Sequence, residues 1–234
     1  MREITGSVIS WLRHCLVAAR YGALWRVRNA VAAGILVFSP AAAEDITLVA
    51  FGDSLTQGFG LPEAEGFVPQ LETWLRNNGA AVDVINAGVS GDTTAGGRAR
   101  IAWTLSGEVD AVLVELGAND MLRGLEPSDV RTNLEAILVA IDDAALPVLL
   151  AGVPAAGNYG PDYKAEFDAI FPDLAREYDA ILYPNFFAGL GSETLTGAAA
   201  LMQSDGIHPN AAGVARIVED IGPHVLELIA RAQE

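Results

Sequence analysis

Ile46-Thr-Leu-Val-Ala-Phe51-Gly-Asp-Ser54 is a short apolar run that breaks at a glycine, and an amphipathic stretch, residues 67–77, follows it. The same pairing recurs down the chain. Val82-Asp-Val-Ile85, Ala111-Val-Leu-Val-Glu-Leu116, Val148-Leu-Leu-Ala151 and Ala180-Ile-Leu-Tyr183 are brief and rich in aliphatic side chains, which predicts strands. Residues 94–105, 128–144, 163–178 and 211–230 repeat apolar side chains at spacings of three and four, which predicts helices. Pro127-Ser128 and Pro209-Asn210 stand where helices should start, and Gly79 follows the first helix as a stop. Strict alternation of strand and helix implies an α/β fold: a five-stranded parallel sheet covered on both faces, a three-layer α/β/α sandwich. No repeat, linker or low-complexity tract interrupts residues 44–234, which read as one domain.

Composition narrows the function classes. The 234 residues are 51% hydrophobic and 19% charged, and 30 acids against 14 bases leave −16. A surface that acidic repels phosphate backbones and anionic head groups, so no nucleic-acid partner is expected and membrane contact is at most transient. Cys15 is the only cysteine, which excludes an internal disulfide and a cysteine-rich zinc site. His14 and His224 are the only histidines besides His208, too few for a His-x-x-x-His zinc motif. A Gly-x-Ser-x-Gly elbow and a Gly-x-x-x-x-Gly-Lys phosphate loop are also absent from the sequence.

The charge is uneven. Before Glu44 stand five arginines and one acid, whereas the 191 residues from Glu44 carry 9 bases and 29 acids, a net of −20. Between them, residues 30–43 form an apolar run closing on Ala41-Ala42-Ala43, too short to span a bilayer, which needs about 20 residues. Basic, apolar and small-residue segments in that order read as a secretory signal peptide over residues 1–43. An uncleaved anchor or a buried first helix is the alternative. The basic part is long for a signal, and a true start at Val27 would explain it. Cleavage after Ala43 would remove Cys15 and place the mature protein in the periplasm or outside the cell.

In an open α/β sheet the working site lies at the carboxyl ends of the strands. Ser54 falls just past the first strand, where its hydroxyl is exposed and a following helix aims N–H groups at it. Asp and Ser there also read as a helix cap, their commoner use. The second strand leads into Asn86-Ala-Gly-Val-Ser-Gly-Asp-Thr-Thr94, whose glycines admit close backbone approach or simply a positive-φ turn. The third leads into Gly117-Ala-Asn-Asp120, where the Asn119 amide either donates into a site or closes an Asx turn. Before the last helix, Ser204-Asp-Gly-Ile-His-Pro-Asn210 places Asp205 three residues from His208, close enough for the carboxylate to hold one ring nitrogen. Ser54, His208 and Asp205 are then the nucleophile, base and orienter of a serine hydrolase, because a neutral hydroxyl attacks a carbonyl only when a base takes its proton. The N–H groups of Ser54 and Gly91 and the Asn119 amide would serve the resulting oxyanion.

These blocks carry a resemblance. Gly52-Asp-Ser-Leu55, Gly91 within Ser-Gly-Asp, Gly117-Ala-Asn-Asp120 and Asp205-Gly-Ile-His-Pro209 resemble, in order, the four blocks of the SGNH, or GDSL, hydrolase superfamily. Within it, the chain is most similar to exported bacterial acyl-ester hydrolases of the thioesterase I, arylesterase and lysophospholipase type. The similarity runs from about Ile46 to about Ile229. It implies a flavodoxin-like sandwich, no cofactor and no metal, Ser54 as nucleophile, Asp205 with His208, and an oxyanion hole of Ser54, Gly91 and Asn119. Ala118 stands where the family often has glycine, and residues 186–202 do not align with it.

The expected activity is cleavage of small-molecule carboxylic ester or thioester bonds, lysophospholipids among them, by a monomer. A carbohydrate O-acetyl esterase or acyltransferase, or a silent lipid- or glycan-binding module, are the alternatives. Leu55, Phe59, Leu61, Pro154 and Tyr159 fall in loops at the same sheet end and are expected to line an acyl groove.

Overall fold

The computed structural model describes residues 45–191 and 197–234. The expected signal peptide lies outside the described residues.

Five parallel strands, β1 (Ile46–Gly52), β2 (Val82–Gly88), β3 (Ala111–Glu115), β4 (Val148–Ala151) and β5 (Ile181–Tyr183), form one sheet in the order β2-β1-β3-β4-β5. Each pairing is parallel, with Ile46 beside Val82 and Gly52 beside both Gly88 and Glu115. Strands buried on both faces divide their side chains by alternation. Leu48, Ala50, Leu113, Leu149 and Tyr183 enter one core with Leu71 and Leu75 of α2 (Phe67–Asn77) and Ile217 and Val225 of α7 (Ala211–Ala232). Val49, Phe51, Val112, Val114 and Leu150 enter the other, against Ile101 of α3 (Thr94–Thr104), Leu134 and Ile137 of α5 (Pro127–Asp143) and Phe167 and Leu174 of α6 (Pro161–Glu177).

The strand order is that of a doubly wound, flavodoxin-like sheet. The connection from β1 turns outward to β2, and that from β2 crosses back over β1 to β3. This switch leaves a crevice past the carboxyl ends of β1, β2 and β3.

Two short helices break from the expected pattern: α1 (Ser54–Gln57) and α4 (Ala118–Leu122), each a turn or so long, directly after β1 and β3. Strand β2 also runs on through Asn86, Ala87 and Gly88, expected as loop, because their backbones pair with Ala50, Phe51 and Gly52. Helix α6 starts at Pro161, two residues ahead of the expected start, with proline at its first position. Among the described residues no helix is long and apolar enough to cross a membrane.

Candidate active site

Helix α1 is built so that Ser54 is its first residue. Asp53 is the N-cap, its Oδ1 accepting the Leu55 N–H at 3.0 Å, and Gly58 ends the helix in the left-handed region at φ 84°. Capping and display of the hydroxyl are therefore shared between neighbours. A Cβ on Gly52 would collide with the Thr56 hydroxyl and the Glu115 carbonyl, so only glycine lets α1 pack down against β3.

Ser54 faces His208, delivered by the loop before α7. Ser54 Oγ lies 2.9 Å from His208 Nε2, and His208 Nδ1 lies 2.7 Å from Asp205 Oδ2. A carboxylate only accepts, so Nδ1 carries the proton and Nε2 is left to accept from the serine hydroxyl. Asp205 Oδ1 accepts the N–H groups of Ile207 and His208 at 2.9 and 3.0 Å. The His208 backbone and ring bonds, then that of Ile207, pull the Asp205 carboxyl down to about 2. Gln203 braces the loop, its Nε2 donating to the carbonyls of Phe59 and Pro209 and its N–H to that of His208. The Phe59 ring packs beside the imidazole, 4.7 Å away between centroids.

Ser54 is the first helical residue, so its N–H has no partner within α1. Gly91, at φ 78°, takes a backbone conformation that favours glycine. The Asn119 amide donates to Asp53 Oδ2 at 2.9 Å with one of its two hydrogens, leaving the other for a ligand. Ser54, Gly91, Asn119 and His208 all line one cavity of about 310 Å3. A larger hollow of about 840 Å3 between α5 and α6 is an open groove edged by Arg131, Glu135, Glu166 and Glu177, remote from this set.

The rest of the cavity wall is apolar. Leu55 and Phe59 line it together with Met121, Leu122, Val153 and Phe187. Leu61, Pro154 and Tyr159, expected beside them, do not line it. Leu61 is partly buried against the hydrophobic core, and along the chain after β4 it is Val153 that turns inward while Pro154 is exposed. The Tyr159 hydroxyl donates to the Leu122 carbonyl at 3.2 Å and its ring packs on Tyr163, so it stands behind the wall.

A buried pair of acids under Ser54 is the feature the sequence reading did not anticipate. Asp53 and Glu115 are both fully buried. Glu115 Oε2 accepts from the Thr56 hydroxyl at 2.9 Å, and Oε1 has no partner among the described residues. Burial, and secondarily the charge of Asp53, pushes the Glu115 carboxyl well above its ordinary value, which favours its neutral form. A lone Glu inside the apolar run Ala111–Glu115 is the sequence signal that marks it.

Burial also lifts Asp53 from 3.8 to about 6, against the opposing bonds from Leu55 and Asn119. The folded state thus holds this proton more tightly than the unfolded chain. The stabilising contribution is complete below about pH 3.8 and is lost as pH rises through about 6, where ionised Asp53 costs on the order of 3 kcal/mol. Activity should run the other way, since Asn119 and Leu55 both donate to the carboxylate. Melting temperature of the wild type relative to Asp53→Asn is expected to rise between pH 7 and 4.5 while kcat falls. Parallel melting profiles for the two proteins would refute this.

Comparison with known proteins places the arrangement. Residues 50–216 match the GDSL-like lipase/acylhydrolase family, and the chain belongs to that family. It is 37% identical over 196 residues to Esterase TesA of Pseudomonas aeruginosa, covering 83% of this chain and 94% of the relative. Over 178 residues it is 38% identical to the thioesterase 1/protease 1/lysophospholipase L1 of Escherichia coli K12, covering 75% of this chain and 80% of the relative. The crystal structure of AlinE4, an SGNH-hydrolase family esterase, superposes with a TM-score of 0.65 at 42% identity, over 79% of this chain and 96% of the other. This chain is accordingly an ester-hydrolysing enzyme of the SGNH type.

Proposed function

We propose that the protein hydrolyses carboxylic esters and thioesters of medium or long acyl groups through an acyl-enzyme on Ser54. The observation that carries the reading is the continuous Ser54–His208–Asp205 hydrogen-bonded series opening onto an apolar cavity. Ser54 Oγ attacks the carbonyl carbon as its proton passes to His208 Nε2, and Asp205 stabilises the imidazolium. The oxyanion takes hydrogen bonds from the N–H groups of Ser54 and Gly91 and from the Asn119 amide. Collapse expels the alcohol or thiol, which takes the proton from Nε2. Water, deprotonated by His208, then attacks the acyl carbon and releases the acid and Ser54.

The apolar wall favours acyl chains over sugar acetates. Each buried methylene is worth about 0.8 kcal/mol, so kcat/KM should rise roughly fourfold per methylene until the cavity is full. A p-nitrophenyl ester series from acetyl to palmitoyl tests this. Activity confined to acetyl would move the assignment to a carbohydrate deacetylase, and no activity on any ester toward a binding module. Val153→Phe is expected to shift the optimum to shorter chains and spare the acetyl ester, whereas Pro154→Ala leaves the profile unchanged. Equal effects from the two variants would contradict the placement of the cavity wall.

Lysophospholipids fit as substrates because they present one acyl ester, and the acidic charge of the chain suits transient contact with neutral lipid over tight binding to anionic bilayers. We also propose export, with cleavage after Ala43 and action as a monomer in the periplasm or outside the cell. A mature N-terminus at Glu44, read by mass spectrometry, supports export; an intact Met1 counts against it.

A further inference from the structure

The three oxyanion donors proposed above follow the ends of three separate strands, β1, β2 and β3. The last bond of the ladder runs from the Val89 N–H to the Gly52 carbonyl at 3.0 Å, and beyond it side chains space the donors. Two of the three spacings are set by buried carboxylates. Asp53, the cap of the Ser54 helix, accepts from the Asn119 amide at 2.9 Å. Asp120, next to Asn119 and 1% exposed, accepts from the Thr94 N–H at 2.9 Å and the Thr94 hydroxyl at 2.6 Å, three residues beyond Gly91.

The third spacing, from the Ser54 turn to the Gly91 turn, is shared by the Ser90 hydroxyl, which donates to Gln57 Oε1 at 2.6 Å, and a cation. Arg100 of α3 donates from Nη2 to the Gly52 carbonyl at 2.9 Å, from Nη1 to the Ala87 carbonyl at 2.8 Å and from Nε to Asp92 Oδ2 at 2.7 Å. Its guanidinium lies over the Phe51 ring, 3.8 Å from the centroid, which fixes the plane of the fork. Gly52 is two residues before Ser54, and Asp92 is the residue after Gly91. One rigid group therefore joins the ends of β1 and β2 to the loop that carries the Gly91 N–H.

We infer that Arg100 is a positioning residue for the oxyanion hole: its planar fork sets the distance between the Gly91 N–H and Ser54, closing a triangle whose other sides are Asp53 with Asn119 and Asp120 with Thr94. This rests on the mechanism proposed above. A lysine retains the charge but, with a point-like ammonium, cannot hold two carbonyls and a carboxylate in one plane. A misplaced donor weakens stabilisation of the transition state and leaves ground-state binding in the apolar cavity intact.

Arg100→Lys is expected to lower kcat on p-nitrophenyl butyrate by about 10- to 100-fold with KM within about twofold, measured well below its melting temperature. Because the effect passes through Gly91, adding Arg100→Lys to Gly91→Ala should cost less than about threefold more, whereas on Asn119→Ala it should multiply in full. Where Arg100→Lys fails to fold, Asp92→Ala removes one side of the fork and should show the same kcat loss and the same dependence on Gly91. Wild-type kcat in a folded Arg100→Lys or Asp92→Ala protein, or a full multiplicative loss on top of Gly91→Ala, would overturn the inference. Ser54→Ala in the same assay separates the two claims: if it stays active the mechanism itself fails, and if it is inert while Arg100→Lys is unimpaired, only the role of Arg100 fails.

Discussion

Ser54→Ala is expected to lower kcat for any p-nitrophenyl ester by about 10^5- to 10^6-fold, leaving only the rate that the N–H donors and binding give to attack by water. The hydroxyl hydrogen-bonds His208 at 2.9 Å, and among the described residues no other serine or cysteine hydrogen-bonds that imidazole. Stability should change by less than about 1 kcal/mol, since the cap of α1 is Asp53, and alanine is well suited to a first helical turn. Steady-state rates with a thermal melt check both statements. Activity within tenfold of wild type in a folded Ser54→Ala protein would mean that another nucleophile operates.

Asp205→Asn should cost about 10^3- to 10^4-fold in kcat while the loop keeps its shape. The Asn carbonyl can still accept from the Ile207 and His208 N–H groups, as Oδ1 does now at 2.9 and 3.0 Å. Its amide nitrogen, however, would face His208 Nδ1 as a donor, so the ring would carry its proton on Nε2 and could no longer accept from Ser54. The same bonds make the acid behaviour of Asp205 one-directional. With its folded value depressed to about 2 against an ordinary 3.8, its contribution to stability and to the tautomer is present above about pH 4 and is lost only as pH falls toward 2. A loss of activity that sets in near pH 6 therefore does not belong to Asp205, and Asp205→Asn should flatten stability changes only below about pH 4. A wild-type tautomer and rate in this variant would contradict the assigned relay.

Much of the fold was legible because it rests on periodicity. Strands such as Val148–Ala151 and helices such as Phe67–Asn77 announce themselves by which face is buried, and their observed bounds coincide with the expected ones. Helices Ser54–Gln57 and Ala118–Leu122 did not, since four or five residues hold too little periodicity to see. The segments bearing Ser54, Gly91 and Asn119 were identifiable from strand ends, and Asp205 with His208 from their spacing before the last helix; in the structure Ser54, Gly91, Asn119 and His208 line one cavity, with Asp205 bonded behind His208.

The cavity wall was less legible. Which of Val153 and Pro154 turns inward depends on the path of the chain past β4, and a slip of one residue exchanges the two faces. Phe187 and Met121 reach the cavity only through tertiary placement. Arg100 reads in sequence as an ordinary helix charge, and only the folded chain aims it at Gly52 and Asp92.

The most direct test of ester hydrolysis through Ser54 is to inactivate the protein with an alkyl fluorophosphonate, follow residual esterase activity, and locate the adduct by peptide mass spectrometry. The account predicts one adduct per chain, on Ser54, formed in proportion to lost activity and absent from Ser54→Ala. An adduct elsewhere that tracks inactivation, or full activity in protein whose Ser54 is fully modified, would contradict it.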